Sequence, residues 1–381
     1  MNRRNILKSG LVAAFGMGLL PNTLSATNHP VQSLRNTLDS LRYGIEPELL
    51  DFPENEVKAR LSANENPYGP SPKAKEALIA SLDKSFMYPG KSMRKLIEVI
   101  AKKEKVAPEQ VMLGAGSTEI LMAAFLAYGS KGKFIVADPG YISRVKSLEM
   151  VKVALTKDYK HDLEAMAQKV NQESALVYIC NPNNPTGTAL NPQKLKDFCA
   201  SVSSKVPVMV DEAYIDYTDQ PEENTMMDSV RKGENVIVVR TFSKLHGFAG
   251  LRVGYCVAQE ETVKLLKKYH SSNSLAMPSL EGAVISYQDP EFPKMVLQKT
   301  QEAKDYLYKT LQALDYAYVP SQTNFVLFPL RMKGEPFLKA MREKGVTVRR
   351  WEFDRQHWCR VSLGKMEDMR LFTQTFKEVV A

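Results

Sequence analysis

Short apolar runs alternate with segments of helical periodicity between residues 133 and 269. The apolar runs predict strands at 133–137, 151–155, 175–180, 206–210, 235–240 and 252–258. Apolar residues at helical spacing predict helices at 142–150, 161–171, 192–203 and 260–269. Apolar strands separated by amphipathic helices are typical of a mostly parallel sheet with helices on both faces. The pattern therefore predicts a three-layer α/β/α domain.

The pattern on either side of this region defines the rest of the organisation. Helices are predicted at 73–84, 92–103 and 117–128, before the first of these strands. After residue 290 long helices alternate with fewer strands, at 293–314, 324–328, 336–344, 346–350, 359–363 and 367–380. We predict a large domain at 73–289, a smaller α+β domain at 290–381, and an N-terminal arm at 27–72 that joins the small domain.

The first 26 residues have the character of an export signal. Arg3 and Arg4 precede an apolar run at 11–20, which Pro21 interrupts, and small residues at 24–26 suit a cleavage site. The arginine pair is typical of the twin-arginine class, which predicts a periplasmic or exported protein. A cytoplasmic protein with an amphipathic N-terminal helix is the alternative. The apolar run falls short of the ~20 residues that a membrane span requires, so we predict no stable span.

Composition and charge exclude several classes of function. The chain is 44% hydrophobic and 25% charged, as in ordinary globular proteins. The net charge is +8, but lysines are scattered among carboxylates rather than clustered with aromatic residues. This favours some preference for anionic substrates over nucleic-acid binding. The cysteines at 180, 199, 256 and 359 lack the spacing of a metal site, so we predict buried thiols and no metal.

The most distinctive loops follow three of the predicted strands. Ligands bind beyond the carboxyl ends of parallel strands, so these loops are expected to converge. The first is the rigid polar turn Asn181-Pro-Asn-Asn-Pro-Thr-Gly187, and the second is Asp211-Glu-Ala-Tyr214. An acid at the end of an apolar strand is costly unless it pairs with a cation. A strand-capping acid and an ordinary loop are the plain alternatives.

The third loop contains Lys244. Thr241 and Ser243 precede this lysine, glycines follow it, and Arg252 lies eight positions later. A phosphate-bearing carbonyl cofactor requires such a set, because an amine forms the Schiff base while hydroxyls and an arginine hold the phosphate. A surface lysine in a turn is the alternative. The occurrence of all three loops in order favours the cofactor site.

A glycine-rich turn precedes the helix predicted at 117–128. Gly114, Gly116 and Glu119 only partly match a dinucleotide-binding fingerprint, because the last position is glutamate rather than glycine. The turn instead predicts amides at the helix N-terminus, with Ser117, that bind a phosphate. A simple N-cap at Ser117 is the alternative, and the two interpretations are compatible.

Taken together, these motifs resemble fold-type I aminotransferases that use pyridoxal 5′-phosphate, and most closely histidinol-phosphate aminotransferases. The matching segments are 64–72, 88–90, 116–117, 181–187, 211–214, 243–254 and 360–364. The resemblance implies transfer of an amino group between an amino acid, or an amino-alcohol phosphate, and a 2-oxo acid. It also implies a homodimer with the site at the interface.

The resemblance assigns catalytic and ring-binding roles. Lys244 would hold the cofactor as a Schiff base and then act as the base. Asp211 would keep the pyridine nitrogen protonated, and Tyr214 with Asn184 would bond the ring hydroxyl. Tyr141 would stack on the ring.

It also assigns the anion-binding positions. The phosphate would be held by Ala115, Gly116, Ser117, Thr241, Ser243 and Arg252. Tyr88 would reach the phosphate of the neighbouring subunit. Arg360, beside Asn184, would grip the substrate carboxylate in bidentate fashion.

Two segments depart from the usual family pattern and leave the substrate open. Gly140 stands before Tyr141 where relatives usually have threonine, and residues 349–358 replace a glycine-rich loop. A pyridoxal-phosphate decarboxylase on the same scaffold is one alternative function. A non-catalytic exported binding protein is another, disfavoured because Lys244, Asp211 and Arg252 are all intact.

Overall fold

A computed structural model describes residues 57–380 apart from 144, 146 and 272. The strands in this range are β1 (Ala59–Arg60), β2 (Val111–Gly114), β3 (Lys133–Asp138), β4 (Met150–Ala154), β5 (Ser174–Cys180), β6 (Val208–Asp211), β7 (Val236–Thr241), β8 (Gly254–Val257), β9 (Phe325–Pro329), β10 (Val346–Thr347), β11 (Arg349–Phe353) and β12 (Gln356–Ser362). The helices are α1 (Pro72–Ala80), α2 (Gly90–Glu104), α3 (Ser117–Gly129), α4 (Leu163–Gln168), α5 (Pro192–Val202), α6 (Pro221–Asn224), α7 (Met227–Arg231), α8 (Glu260–Lys267), α9 (Met277–Gln288), α10 (Glu291–Ala313), α11 (Gly334–Glu343) and α12 (Met366–Val380). The predicted export signal at 1–26 lies outside the described residues.

The larger sheet confirms the predicted α/β fold. Its strand order is β2-β8-β7-β6-β5-β3-β4, and only β8 runs antiparallel to its neighbours. Alternate residues of one strand enter different cores: Val177 and Ile179 face one side, whereas Leu176 and Tyr178 face the other. A sheet buried on both faces requires near-continuous apolar strands, which is the pattern in the sequence.

One predicted helix is wrong, and the observed helices α6, α7 and α9 were not predicted. The described residues of 141–149 form turns and bends, and Met150 already belongs to β4. The Ser143 hydroxyl bonds the backbone N–H and C=O of Gly140, which competes with a helical start. Helix α9 packs against both α1 and α2. A helix buried on several sides lacks the polar face that marks an amphipathic pattern.

A smaller sheet, in the order β11-β12-β9, belongs to a separate core. Val326 and Phe328 of β9 and Val361 of β12 pack there with residues of α10, α11 and α12. Strand β1 pairs in parallel with β10, so the segment before α1 joins this core. The predicted segment 346–350 is divided between β10 and β11. The domain boundaries proposed from the sequence stay a prediction.

Two further features concern the cysteines and the helices. Cys180, Cys199, Cys256 and Cys359 are free and buried, which confirms the predicted thiols. In the part of the chain that the structure describes, no helix combines the length and apolar character needed to cross a membrane.

Candidate active site

Lys244 lies in the loop that follows β7, close to the segment that precedes α1. Its Nζ donates a hydrogen bond to the carbonyl of Ala63 at 3.1 Å and lies 5.7 Å from the centre of the Tyr214 ring. Burial, together with the positive charges of Arg360 and Arg252, lowers the pKa of Lys244 to about 8. A larger fraction of this amine is therefore neutral near pH 8 than for an ordinary lysine, which suits a nucleophile or a base.

Asp211 ends β6 and is buried. The Tyr178 hydroxyl donates to Oδ2 at 2.8 Å, and the Ala213 amide donates to Oδ1 at 3.1 Å. Burial nevertheless raises the pKa of Asp211 to about 6, although these hydrogen bonds and Lys244 act in the opposite direction. A cation placed against this carboxylate would stabilise its charged form.

Gly116 and Arg252 lie in contact and form a candidate anion-binding cradle. Arg252 Nη1 donates to the Ala249 carbonyl at 2.8 Å and the Ser243 hydroxyl at 3.3 Å, and Nη2 donates to the Ala115 carbonyl at 3.3 Å. Gly116 has φ +75°, and a Cβ at that position would lie 2.1 Å from Arg252 Nη2. Only glycine permits this approach of backbone and guanidinium.

The helix that starts beside this cradle adds donors to it. Helix α3 begins at Ser117 without a side-chain cap on its first amides. Uncapped amides at a helix N-terminus favour anions, particularly phosphate. The Thr241 hydroxyl accepts from the Ser243 amide at 3.0 Å, which orients the end of β7 toward the same region.

Glu119, the residue that breaks the glycine fingerprint, is hydrogen-bonded to the backbone beside Gly116. Its Oε2 accepts from the Ala115 amide at 2.5 Å and from the Ser274 hydroxyl at 2.7 Å, and His270 Nε2 lies 3.4 Å away. These hydrogen bonds outweigh burial and lower the pKa of Glu119 to about 2.

Arg360 belongs to a buried chain of polar contacts. Only 2% of this residue is exposed; Nη1 donates to Asn184 Oδ1 at 2.7 Å and Nη2 donates to the Ser62 carbonyl at 2.6 Å. The Tyr214 hydroxyl accepts from Asn184 Nδ2 at 3.5 Å and from Asn64 Nδ2 at 3.0 Å. The contacts join the smaller sheet, the turn after β5 and the segment before α1.

The two remaining tyrosines of the predicted site differ in their surroundings. Tyr141 follows β3, is 44% exposed, and has its hydroxyl within electrostatic reach of Asp211. Tyr88 is 85% exposed and, among the described residues, takes no part in the contacts above. The apolar side chains of Ile79, Leu82, Phe86 and Met87, which lie within ten residues of it along the chain, are also exposed.

Three site residues were not predicted from the sequence. Tyr178 has a detectable signal, because it is an aromatic hydroxyl inside an otherwise apolar strand. Asn64 lies within a matching segment, and its φ of +54° marks it as special only in the structure. Arg349 is identified by register alone, because it lies directly opposite Arg360 in the β11–β12 pair. Opposite residues of antiparallel strands project from the same face.

Comparison with known proteins agrees with this geometry. The family model for aminotransferase class I and II matches residues 56–376. The chain belongs to this aminotransferase family. The histidinol-phosphate aminotransferase of Moorella thermoacetica is 35% identical over 84% of this chain and 85% of that protein. The histidinol-phosphate aminotransferase of Caldicellulosiruptor saccharolyticus is 32% identical over 88% of this chain and 98% of that protein.

The fold of this aminotransferase is also found in solved structures. The histidinol-phosphate aminotransferase of Sinorhizobium meliloti, solved with pyridoxal 5′-phosphate, has a TM-score of 0.78. It is 22% identical, and the match covers 88% of this chain and 97% of that one, so it shows the shared fold alone. The family assignment confirms the predicted aminotransferase class and its pyridoxal 5′-phosphate cofactor.

Proposed function

We propose that this aminotransferase acts on amino compounds that carry two negative charges, either on two carboxylates, as in dicarboxylic amino acids, or on one phosphate, as in amino-alcohol phosphates, with 2-oxo acids as amino acceptors. The observation that carries this proposal is the placement of Arg349 opposite Arg360 on one sheet face. Two guanidinium groups on the same face offer a doubly anionic substrate two sets of charge-assisted hydrogen bonds. The histidinol-phosphate aminotransferases among its relatives support an amino-alcohol phosphate as one such substrate.

The described residues fit pyridoxal 5′-phosphate. The cradle of Gly116, Arg252 and the first amides of α3 suits the phosphate, and the buried Asp211 suits a protonated ring nitrogen. The phosphate set is Ala115, Gly116, Ser117, Thr241, Ser243 and Arg252. When bound, the cofactor supplies a protonated ring that withdraws electrons from the substrate Cα.

The chain's own residues supply binding, orientation and proton transfer. Lys244 would take the proton from the substrate Cα and deliver it to C4′ of the cofactor, for which a pKa of about 8 is well placed. Asp211 maintains the proton on the ring nitrogen, and Tyr178 holds the Asp211 carboxylate in place. Asn184 and Tyr214 orient the ring hydroxyl, and Tyr141 covers one ring face. Arg360 binds an anionic group of the substrate.

A matched pair of amino donors tests the proposal. Purified protein is mixed with histidinol phosphate or histidinol, and conversion of the cofactor to its amino form is followed by absorbance. We expect kcat/KM to be about 10- to 100-fold higher for the phosphorylated donor, the value of one charged hydrogen-bonded group. Equal values for both donors would contradict the specificity. In a separate assay with dicarboxylic amino acids such as glutamate, release of carbon dioxide would assign the chain to decarboxylation instead.

The raised pKa of Asp211 predicts a pH dependence of the cofactor-free protein. The folded pKa is about 6 and the ordinary value is 3.8, so between these values the folded state binds more protons than the unfolded state. The free energy of unfolding therefore falls as pH rises through this window, by about 2–3 kcal/mol. Urea titrations at pH 4 and pH 7 measure it. Asp211→Asn lacks the titrating carboxyl group, so its free energy of unfolding is expected to fall less between these pH values. An identical fall in the variant and the wild type would show the prediction to be wrong.

The cradle predicts a specific effect of Gly116→Ala. The added Cβ meets the Arg252 guanidinium and displaces it, which weakens one charged contact to the phosphate. We expect the cofactor dissociation constant to rise about 10- to 100-fold. Titration of the cofactor-free protein with pyridoxal 5′-phosphate measures it. Gly233→Ala is the control, because Gly233 also has positive φ but no atom within 4 Å of the added Cβ. Equal effects of both variants would disprove the contact.

We further propose a homodimer in which Tyr88 reaches the neighbouring subunit. The exposure of five large apolar side chains between residues 79 and 88 supports this, because concentrated exposed apolar residues commonly mark interfaces: Ile79, Leu82, Phe86, Met87 and Tyr88. Sedimentation velocity at micromolar concentration is expected to give twice the chain mass, and Phe86→Glu is expected to dissociate the dimer. A wild-type monomer under these conditions would contradict the proposal.

Export through the twin-arginine route is also a proposal. It is supported by Arg3 and Arg4 ahead of the apolar run at 11–20. Fractionation of cells that express Arg3→Lys/Arg4→Lys is expected to place the variant in the cytoplasm and the wild type outside it. Normal export of the variant would argue for another route.

A further inference from the structure

The face of the smaller sheet that displays Arg349 and Arg360 continues into an aromatic surface. Strand register places Trp351 opposite Trp358, two positions from the arginine pair, and Phe353 follows on the same face. Phe353 stacks on Trp358 with 4.8 Å between ring centroids and an angle of 3° between ring planes. The unusual 349–358 segment is therefore a hairpin whose aromatic side chains share a face with the arginines.

Tyr159 contacts this aromatic surface from the turn that follows β4. Its ring meets Trp358 edge-on at 5.3 Å and Phe353 at 6.3 Å. The turn is closed by hydrogen bonds of the Tyr159 amide to the Thr156 carbonyl and of the Thr156 amide to the Lys160 carbonyl. Trp358 is 5% exposed, so the ring contact is enclosed and joins the turn to the hairpin.

The same turn is also bonded to the loop that holds Arg360. The carbonyl of Tyr159 accepts from the Thr188 hydroxyl at 2.7 Å, and Thr188 bonds the Thr186 hydroxyl at 2.8 Å. Asn183 donates to Thr186 at 3.0 Å, and its neighbour Asn184 accepts from Arg360. Arg360 is therefore held at two points. Its guanidinium bonds the 183–188 loop, and its strand is contacted by Tyr159 through Trp358.

We propose that Tyr159 is a positioning residue that sets the enzyme's selectivity for doubly anionic substrates. The inference rests on the proposed function. Through Trp358, two residues before Arg360, the Tyr159 ring fixes strands β11 and β12 against the turn, so that Arg349 and Arg360 keep a constant separation. Simultaneous binding of one substrate by both arginines depends on the distance between them, since a shift of about 1 Å can lower a rate by about 10²-fold. A substrate with a single carboxylate does not use both arginines and is insensitive to the shift.

Two variants of Tyr159 provide the test. Tyr159 has φ +59°, which asparagine tolerates, so Tyr159→Asn removes the ring without adding backbone strain. Tyr159→Phe keeps the ring. The holoenzyme is assayed for kcat and KM with glutamate and with alanine, and for binding of succinate and propionate by the change in cofactor absorbance.

The expected result is a selective loss of binding. In Tyr159→Asn, KM for glutamate and Kd for succinate rise about 10-fold. The value of kcat, KM for alanine and Kd for propionate change less than about 2-fold. Tyr159→Phe matches the wild type. Phe353→Leu, which removes the other half-buried ring, is expected to behave as Tyr159→Asn does.

Three outcomes overturn the inference, and they are distinguishable. No change in Tyr159→Asn would show that the ring contact positions nothing. An equal rise for mono- and dicarboxylates would indicate a general structural role. If the wild type itself binds succinate and propionate alike, the proposed function fails and Tyr159 has no selectivity to set.

Discussion

Lys244→Ala is expected to lower the transamination rate by about 10³-fold or more and to abolish the long-wavelength absorption of the lysine-bound cofactor. The variant loses both the amine that attaches the cofactor and the base that moves the proton at the substrate Cα. Neighbouring amines do not replace it, because Lys244 Nζ is placed by Ala63 and Tyr214 inside a buried site. Absorbance spectra and single-turnover rates with a saturating amino donor measure the two effects.

A second buried lysine provides a matched control. Lys304 is 6% exposed, donates to the Ser321 carbonyl at 2.9 Å, and also has a pKa lowered by burial. Lys304→Met is expected to retain the absorption band and most of the activity. Persistence of the band in Lys244→Ala, or its loss in both variants, would refute the assignment of Lys244.

Arg240→Met is expected to cause the largest loss of stability. Arg240, at the end of β7, donates Nε to Glu212 Oε2 at 3.0 Å and Nη1 to Glu104 Oε1 at 3.0 Å, while Nη2 donates to Thr225 at 2.9 Å. The substitution leaves two buried carboxylates without their cation, which costs about 3–5 kcal/mol of the free energy of unfolding. Urea unfolding measures the difference between variant and wild type.

The pH dependence of this stability loss tests whether it arises from the buried carboxylates. Burial already raises the pKa of Glu212, and Arg240 opposes that rise. Without Arg240 the folded Glu212 carboxylate takes up a proton more readily, so the variant's deficit is expected to be larger at pH 8 than at pH 5. Arg331→Met is the control, since Arg331 forms an exposed pair with Asp315 and its loss is expected to cost less than about 1 kcal/mol. A deficit in Arg240→Met no larger than in the control would refute this account of the network.

The network also links the two strand ends that carry Asp211 and the Lys244 loop. Arg240 directly precedes the 241–244 loop, and Glu212 directly follows Asp211. The ion pair therefore connects the ends of β6 and β7, the two strands that position the carboxylate and the amine. The roles of these residues remain proposals, but their proximity is a property of the fold.

Several elements could be recognised from sequence because their signals are local. Strands β3, β5 and β7 each contain an uninterrupted run of four or more apolar residues, which requires a sheet covered on both faces. Helices α3, α5 and α12 also lie close to their predicted ranges. The helix predicted at 142–150 is wrong because apolar spacing alone does not distinguish a helix from turns whose side chains pack against the core. Val145 and Leu148 pack in this way.

The sequence by itself determined the class of chemistry: an acid, an amide turn and a lysine loop on successive strand ends, with glycines and an arginine for phosphate. Only the tertiary structure decided which distant groups complete the site. Arg349 faces the same side as Arg360 because of strand register, and Tyr159 supports that pair through a contact between residues 199 positions apart, Tyr159 and Trp358. Register and packing depend on pairing between remote segments, and local periodicity does not encode them.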